Sequence, residues 1–317
     1  MKPLLRPLAW ALVLFLLMTL GCSAAHGSAH TDEPVIVADE KAELWEKLRA
    51  DRPVPSAVGT PALQMLVIDV GQGDSILLIS PEGKTMLVDA GPAGSFDRIA
   101  EALRASGVTA LDVVVATHPH EDHIGAMAAV LDAYEVGAFY TIAAEQPTGS
   151  YAAMYAALQR NGCPVFPAEG GTTIPWAESC TVTFLNPIAA YADEPASLND
   201  LSAVLHVRFG NTAVLLAGDA EAEAERRMLD TFPRSMLWAN VLKLGHHGSS
   251  SSTGYLFFLA VDPEFAVASC GRDNDFGHPH TETLSLLYDT HTALYRTDTD
   301  GSVLFLLDGE NCSVNLP

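Results

Sequence analysis

Residues 115–126 read VATHPHEDHIGA, and the fold is decided here. Three histidines and two acids fall between His118 and His123, straight after the apolar run LDVVVAT. A β-branched apolar run of this kind reads as a buried central strand. Pro119 removes a backbone donor and holds the chain extended, so His118 and His120 project to one side. Asp122 and His123 follow where a helix from Ile124 begins. Imidazole and carboxylate together suit borderline divalent cations, zinc first and manganese second. The four side chains straddle a turn, which fits two neighbouring ions better than one. His118 and His120 would serve one ion, Asp122 and His123 the other. A bridging acid must then come from elsewhere.

Working outward, the chain repeats itself. SILLISPEGKTMLVDAG predicts strand, turn and strand ending at Asp89, followed by a helix over Phe96–Ala105, the LDVVVAT strand and the histidine turn. SAVLHVRFGNTAVLLAGDA predicts the same hairpin ending at Asp219, followed by a helix over Glu221–Leu229, the strand ANVLKLG and His246-His247. A further helix is predicted near Tyr255–Ala260, and one over Ser150–Arg160 between the halves. The turn pairs and β-rich runs are hairpin signals. Two β-rich halves, each delivering an acid and histidines from strand ends, predict two sheets face to face with helices outside and a shared cleft at one edge. Asp219 is the natural bridging acid, and His246 or His247 completes the second ion's shell, with the other as a supporting neighbour.

Seven of the 11 histidines lie in three clusters, the third being His278-Pro279-His280 in a Gly-rich loop. One of that pair is expected to contact the scissile group or protonate a leaving oxygen; a structural hydrogen bond is the alternative for His280. Asp74, in Gly71-Gln72-Gly73-Asp74-Ser75, either supports the metal shell or stabilises a tight turn. His206 and His291 read as ordinary strand residues. No GxSxG elbow offers a serine nucleophile.

With 17 basic and 39 acidic residues the net charge is −22, which argues against a large basic groove for nucleic acid. Residues 1–22 carry Lys2, Arg6 and the apolar LAWALVLFLLMTL, and end at Gly21-Cys22. This is export-signal architecture, and the Gly-Cys ending resembles a bacterial lipoprotein signal in which Cys22 takes the lipid. Residues 23–60 are expected to form a flexible tether with one short helical candidate near Lys41–Leu48, and residues 61–317 the globular domain. The expected location is the extracytoplasmic face of the cell envelope, lipid-anchored, with a secreted soluble form as the alternative. Four cysteines remain, and an oxidising compartment suggests the pairs Cys163–Cys180 and Cys270–Cys312.

The HxHxDH motif, Asp89-Ala90-Gly91 and Gly218-Asp219 resemble the metallo-β-lactamase fold superfamily. More narrowly, IDVGQGDSILL (68–78), THPHEDHIGA (117–126), NDLSAVL (199–205), LLAGDA (215–220), LKLGHHGSS (242–250) and FGHPH (276–280) look like the hydrolase domain of ComEC/Rec2 competence proteins and its free-standing secreted relatives. The resemblance spans about residues 63–310. It implies an αββα sandwich with a two-metal site held by His118, His120, Asp122, His123, Asp219 and His246 or His247. It also implies that Asp89 orients the metal-binding loop, and that hydrolysis proceeds through a metal-bound hydroxide with Asp122 and Asp219 in the catalytic centre. One departure stands out. Many members place a further histidine before the bridging acid, where this chain reads NDLS, so Asn199 or Asp200 is expected in that role.

The substrate class implied is a small phosphodiester or nucleic acid. A lactone, β-lactam or other ester is the second reading, and a non-catalytic metal-dependent binding module the third. No protein partner is deducible.

Overall fold

A computed structural model describes residues 35–53, 60–191 and 197–317. The signal segment 1–22 and Cys22 lie outside these residues. The chain builds two sheets in sequence. The first holds β1 (Leu63–Val67), β2 (Ile76–Ile79), β3 (Thr85–Val88), β4 (Ala110–Ala116), β5 (Glu135–Thr141) and β6 (Val165–Pro167). The second holds β7 (Thr173–Ile174), β8 (Cys180–Asn186), β9 (Val204–Phe209), β10 (Thr212–Leu216), β11 (Val241–Lys243), β12 (Phe265–Ala268) and β13 (Ala293–Arg296). The chain then returns to the first sheet with β14 (Val303–Leu307) and β15 (Cys312–Asn315). The strand orders are β15-β14-β1-β2-β3-β4-β5-β6 and β13-β12-β11-β10-β9-β8-β7.

The repeat read from the sequence is real at the level of topology. β2 pairs antiparallel with β3 and β3 parallel with β4. β9 pairs antiparallel with β10 and β10 parallel with β11. Each half therefore ends in parallel strands whose C-terminal ends lie at one edge, where open α/β sheets place ligand-binding loops.

Three apolar cores account for four layers. The central one joins the sheets, with Met65, Leu78, Val88 and Val115 facing Leu205, Val214, Val241 and Val267. A second core packs α2 (Phe96–Ala105), α4 (Met127–Ala133) and α5 (Gly149–Asn161) on the outer face of the first sheet through Ile99, Leu103, Met127, Val130, Met154 and Leu158. Between α2 and α4 the single turn α3 (Glu121–Ile124) carries the ligand-type residues. A third core packs α6 (Ala222–Thr231), α7 (Arg234–Leu237), α8 (Tyr255–Val261) and α9 (Thr281–Asp289) on the second sheet through Ala224, Met228, Leu237, Phe257 and Leu284. Burying both faces of each central strand explains the near-continuous apolar runs such as LDVVVA. The layers are those of an αββα sandwich.

The sequence reading assigns residues 23–60 to a tether and begins order at Leu63. Within that span Val35–Ala50 forms a helix, α1, that packs against α9 and β13. Trp45 and Leu48 are buried in the third core. The guanidinium groups of Arg52 and Arg296 both lie over the Trp45 ring, at 5.1 and 4.6 Å from its centroid. Arg52 also pairs with Asp300 and donates to the Leu294 carbonyl. These partners lie far along the chain, so the segment reads as a tether when taken alone.

The disulfide expectation is also corrected. All four cysteines among the described residues are free. The suggested partners belong to different cores: Cys163 packs outside the first sheet while Cys180 lies between the sheets, and Cys270 lies outside the second sheet while Cys312 faces the inter-sheet core.

Candidate metal centre

The loops after β3, β4, β10, β11 and β12 converge at one edge. Asp89 follows β3 with a left-handed backbone (φ 60°) and is fully buried. Its carboxylate accepts the Thr117 amide at 2.8 Å, the Thr117 hydroxyl at 2.7 Å and His123 Nδ1–H at 2.7 Å. The last bond turns His123 Nε2 toward the interior of the site. The Thr117 hydroxyl proton is committed to Asp89, so His118 Nδ1–H donates to that oxygen at 3.2 Å and His118 Nε2 is left as an acceptor. His118 Nε2 faces His120 Nδ1 at 2.9 Å. Gly73 braces this turn: a Cβ there would lie 2.2 Å from the Asp122 carbonyl, which accepts the Asp74 amide at 3.1 Å.

Asp219 follows β10 and is buried, with its amide held by Ser202 Oγ at 3.2 Å. Its two oxygens face different partners. Oδ1 lies 3.2 Å from His123 Nε2 and 3.5 Å from His247 Nε2, whereas Oδ2 lies 3.7 Å from His118 Nε2 and 3.8 Å from His246 Nε2. His246 and His247 both adopt left-handed backbones, with φ of 47° and 57°, and both side chains reach the site. His247 Nδ1–H donates to the Ser269 carbonyl at 2.9 Å and lies 3.3 Å from Asp74 Oδ1, while its Nε2 lies 3.2 Å from Asp122 Oδ2. His246 Nδ1 lies 3.1 Å from Glu221 Oε1 and 3.2 Å from Ser251 Oγ. An acid or hydroxyl on the far nitrogen fixes the tautomer and aims the near one, the usual arrangement behind metal-binding histidines.

Two groups of donor atoms thus share Asp219: His118 and His120 on one side, and His123 and His247 with Asp74 on the other. Asp122 joins the second group through its contact with His247. The fit to cations is tested by buried atoms without a hydrogen-bond partner. His123 Nε2 and Asp219 Oδ1 are two of them. Leaving buried lone pairs unpaired is costly, and a divalent cation satisfies them. Charge tells the same story. Burial opposes an imidazolium at His123, yet Asp219, Asp89 and Asp122 together hold its pKa well above the ordinary histidine value. Burial likewise opposes charge on His247, but Asp219 and Asp74 push its pKa up to about 9. Burial opposes ionisation of Asp219, and His123 and His247 hold its carboxyl well below the usual range. Burial, with His123 adding to it, pushes His118 well below its ordinary value, so it stands ready as a neutral ligand. The centre demands positive charge, and its nitrogen and oxygen donors suit divalent cations.

Several expectations are refined here. Asp200 does not join the donors. Its Oδ1 accepts the Ala224 amide at 3.1 Å, in the first turn of α6, and its Oδ2 is tied to Ser197 Oγ at 3.0 Å. It caps a helix, which is why an acid stands in NDLS. Asn199 lies behind the site, donating to Glu221 Oε1 at 3.4 Å. On the His118 side it is His246, not the NDLS segment, that brings a further imidazole toward Asp219, with Nε2 3.8 Å from Oδ2. His280 has no free nitrogen: Nδ1 accepts the Ser250 amide at 2.9 Å and Nε2–H donates to the Phe276 carbonyl at 2.9 Å. It is a strut between two site loops. His278 is different. Its ring lies 5.4 Å from that of His246 and 6.2 Å from that of His247, and its Nδ1 is buried without a partner. Burial and the neighbouring His247, His280 and His246 push its pKa down to about 3, so the ring is neutral. Two residues escaped the sequence reading. Glu221 looks like any acid in a helix first turn. Lys243, fully buried, pairs with Asp74 at 2.7 Å, and a lysine inside a strand otherwise made of Val and Leu was the available signal.

A family model of the metallo-beta-lactamase superfamily matches residues 68–173. ComE operon protein 3 of Bacillus subtilis (strain 168) is 29% identical over 256 residues, covering 75% of this chain and 32% of that protein. Competence protein ComA of Neisseria gonorrhoeae is 33% identical over 256 residues, covering 79% of this chain and 33% of that protein. The chain spans about a third of the length of these curated relatives. Among solved structures, the metallo-beta-lactamase fold protein YhfI from Bacillus subtilis aligns with a TM-score of 0.50 at 13% identity, covering 77% of this chain and 99% of that one. The αββα layers described above are therefore a metallo-β-lactamase fold. Among the described residues no helix is long and apolar enough to cross a membrane.

Proposed function

We propose, on the premise that this chain carries a metallo-beta-lactamase superfamily domain, that it is a binuclear metal-dependent hydrolase acting on phosphodiesters. One observation carries the reading: Asp219 turns one carboxylate oxygen to His118 and His246 and the other to His123 and His247. His118, His120, His246 and Asp219 would hold one divalent cation; Asp122, His123, His247 and Asp219 the other. Zinc or manganese fits this donor set. When bound, such a pair lowers the pKa of a shared water and stabilises developing negative charge. The protein's own share is positioning. Asp89 holds His123 and Ser269 holds His247 in the tautomers that leave Nε2 free, and Glu221 does the same for His246. Asp74, neutralised by Lys243, supports His247 from behind. His278, neutral and partly covered, offers a ring N–H toward the leaving oxygen.

A phosphodiester substrate is supported by the relative named for competence. The net charge of −22 points to short or weakly held substrates rather than a long duplex. The segment ending at Gly21-Cys22 supports export and a lipid anchor on the extracytoplasmic face, and loss of palmitate incorporation in Cys22→Ala would test it. The activity is tested on the full chain, stripped of metal and reloaded with Zn²⁺ or Mn²⁺. Two equivalents bound and turnover of bis-p-nitrophenyl phosphate are expected. Turnover of nitrocefin or a lactone alone would reject the phosphodiester reading, and a single equivalent would reject the binuclear one.

A further inference from the structure

We infer that Phe276 is a nucleobase-stacking platform at the rim of the metal centre, with Lys41 and Arg272 beside it to receive an adjacent phosphate. An isolated exposed aromatic residue is ordinary. Phe276 differs in how it is held. The residue is 63% exposed, yet one face of its ring is stacked on His278, with centroids 5.6 Å apart and an interplanar angle of 22°. His278 in turn abuts His246 and His247, so one ring separates the exposed face from the metal-facing histidines.

The backbone under the ring is pinned on three sides. His280 Nε2–H donates to the Phe276 carbonyl at 2.9 Å, and Lys41 Nζ donates to the Gly277 carbonyl at 2.6 Å. The Asn274 side chain bonds both the amide and the carbonyl of His278, at 2.9 and 2.8 Å. A rigid ring with one face covered and one free binds a planar group at low entropic cost. The same loop borders a cavity of about 410 Å³ walled by Lys41, Arg272 and Arg296, with Asp273 and Asp298. Arg296 is paired with Asp298 at 2.6 Å. Among the described residues Lys41 and Arg272 bond only carbonyl oxygens, those of Gly277 and Asp298, so their charge is available to a phosphate. In so acidic a chain, two cations in a cavity bordered by the loop that carries an exposed aromatic ring match a nucleotide strand, where stacking and backbone charge combine.

The substrate class rests on the phosphodiesterase reading, but the test reads binding, so the two can fail separately. The probe is a short phosphorothioate-linked oligothymidylate, compared with an abasic strand of equal length. Binding to the zinc-loaded full chain is followed by fluorescence anisotropy. Wild type is expected to hold the base-bearing strand roughly 5- to 150-fold more tightly, the range for one stacked base. F276A and F276L lose that preference; F276W keeps it. Equal affinity of wild type for both strands, no binding of either, or an undiminished preference in F276A overturns the platform. A preference that depends on Phe276 in a protein that cleaves nothing would uphold the platform and discard the hydrolase reading.

Discussion

Asp219 Oδ1 lies 3.2 Å from His123 Nε2, and neither buried atom has a hydrogen-bond partner among the described residues. The aspartate comes from the second sheet and the histidine from the first, so this contact ties the two halves of the repeat into one site. It also defines the consequence of removing the shared carboxylate. Asp219→Asn keeps the shape and removes the charge. Turnover should fall by on the order of 10³-fold, the scale of losing one electrostatic stabiliser, and bound metal should drop below two equivalents. Steady-state kinetics and metal analysis check both, and an undiminished rate would remove Asp219 from the centre.

Asp89 acts through His123 rather than on substrate. Asp89→Asn cannot accept from the Thr117 amide, the Thr117 hydroxyl and His123 at once. Metal affinity or activity should weaken about 10- to 100-fold. Competition with a chromophoric chelator measures the affinity directly.

Asp200→Ala separates the helix-capping role from a ligand role. Loss of the bond to the Ala224 amide should cost about 1 kcal/mol of stability, with metal content unchanged. Urea denaturation and metal analysis of the variant are the checks, and loss of one metal equivalent would return Asp200 to the ligand set.

Glu225 predicts a pH dependence. It is buried beneath the His246-His247 loop, where it accepts the Thr253 and Gly254 amides. Burial pushes its pKa from 4.5 to about 7, against the pull of those two bonds. The folded state therefore binds a proton more tightly than the unfolded chain. The resulting stability is complete below about pH 4.5 and is lost as pH rises through about 7, on the order of 3 kcal/mol across that window. The stability difference between wild type and Glu225→Gln, followed by denaturation at fixed metal from pH 5 to 8, should follow this slope, because the other titrating groups are common to both proteins.

Chelation should destabilise the fold as well as silence it. With free metal a thousandfold above Kd, binding to the native state contributes about 4 kcal/mol, so EDTA should lower Tm and restored metal should recover it. A Tm indifferent to metal would contradict the centre.

The sequence by itself determined the hairpin-strand repeat, the layers and the types of ligand, because these are local. Strand periodicity, turn residues and the spacing His118-Pro119-His120 are fixed by neighbours along the chain. Tertiary structure alone decided how partners were shared out. The left-handed backbones at His246 and His247 sent the two imidazoles to opposite oxygens of Asp219. Asp200 was spent on a helix amide, Glu221 was recruited behind His246, and His280 was consumed as a strut. The cysteines were separated into different cores, and α1 was drawn onto the domain by Trp45 and its two arginines. Each of these outcomes depends on which polar or apolar groups meet across layers, and a buried group takes whichever partner the packing brings within reach.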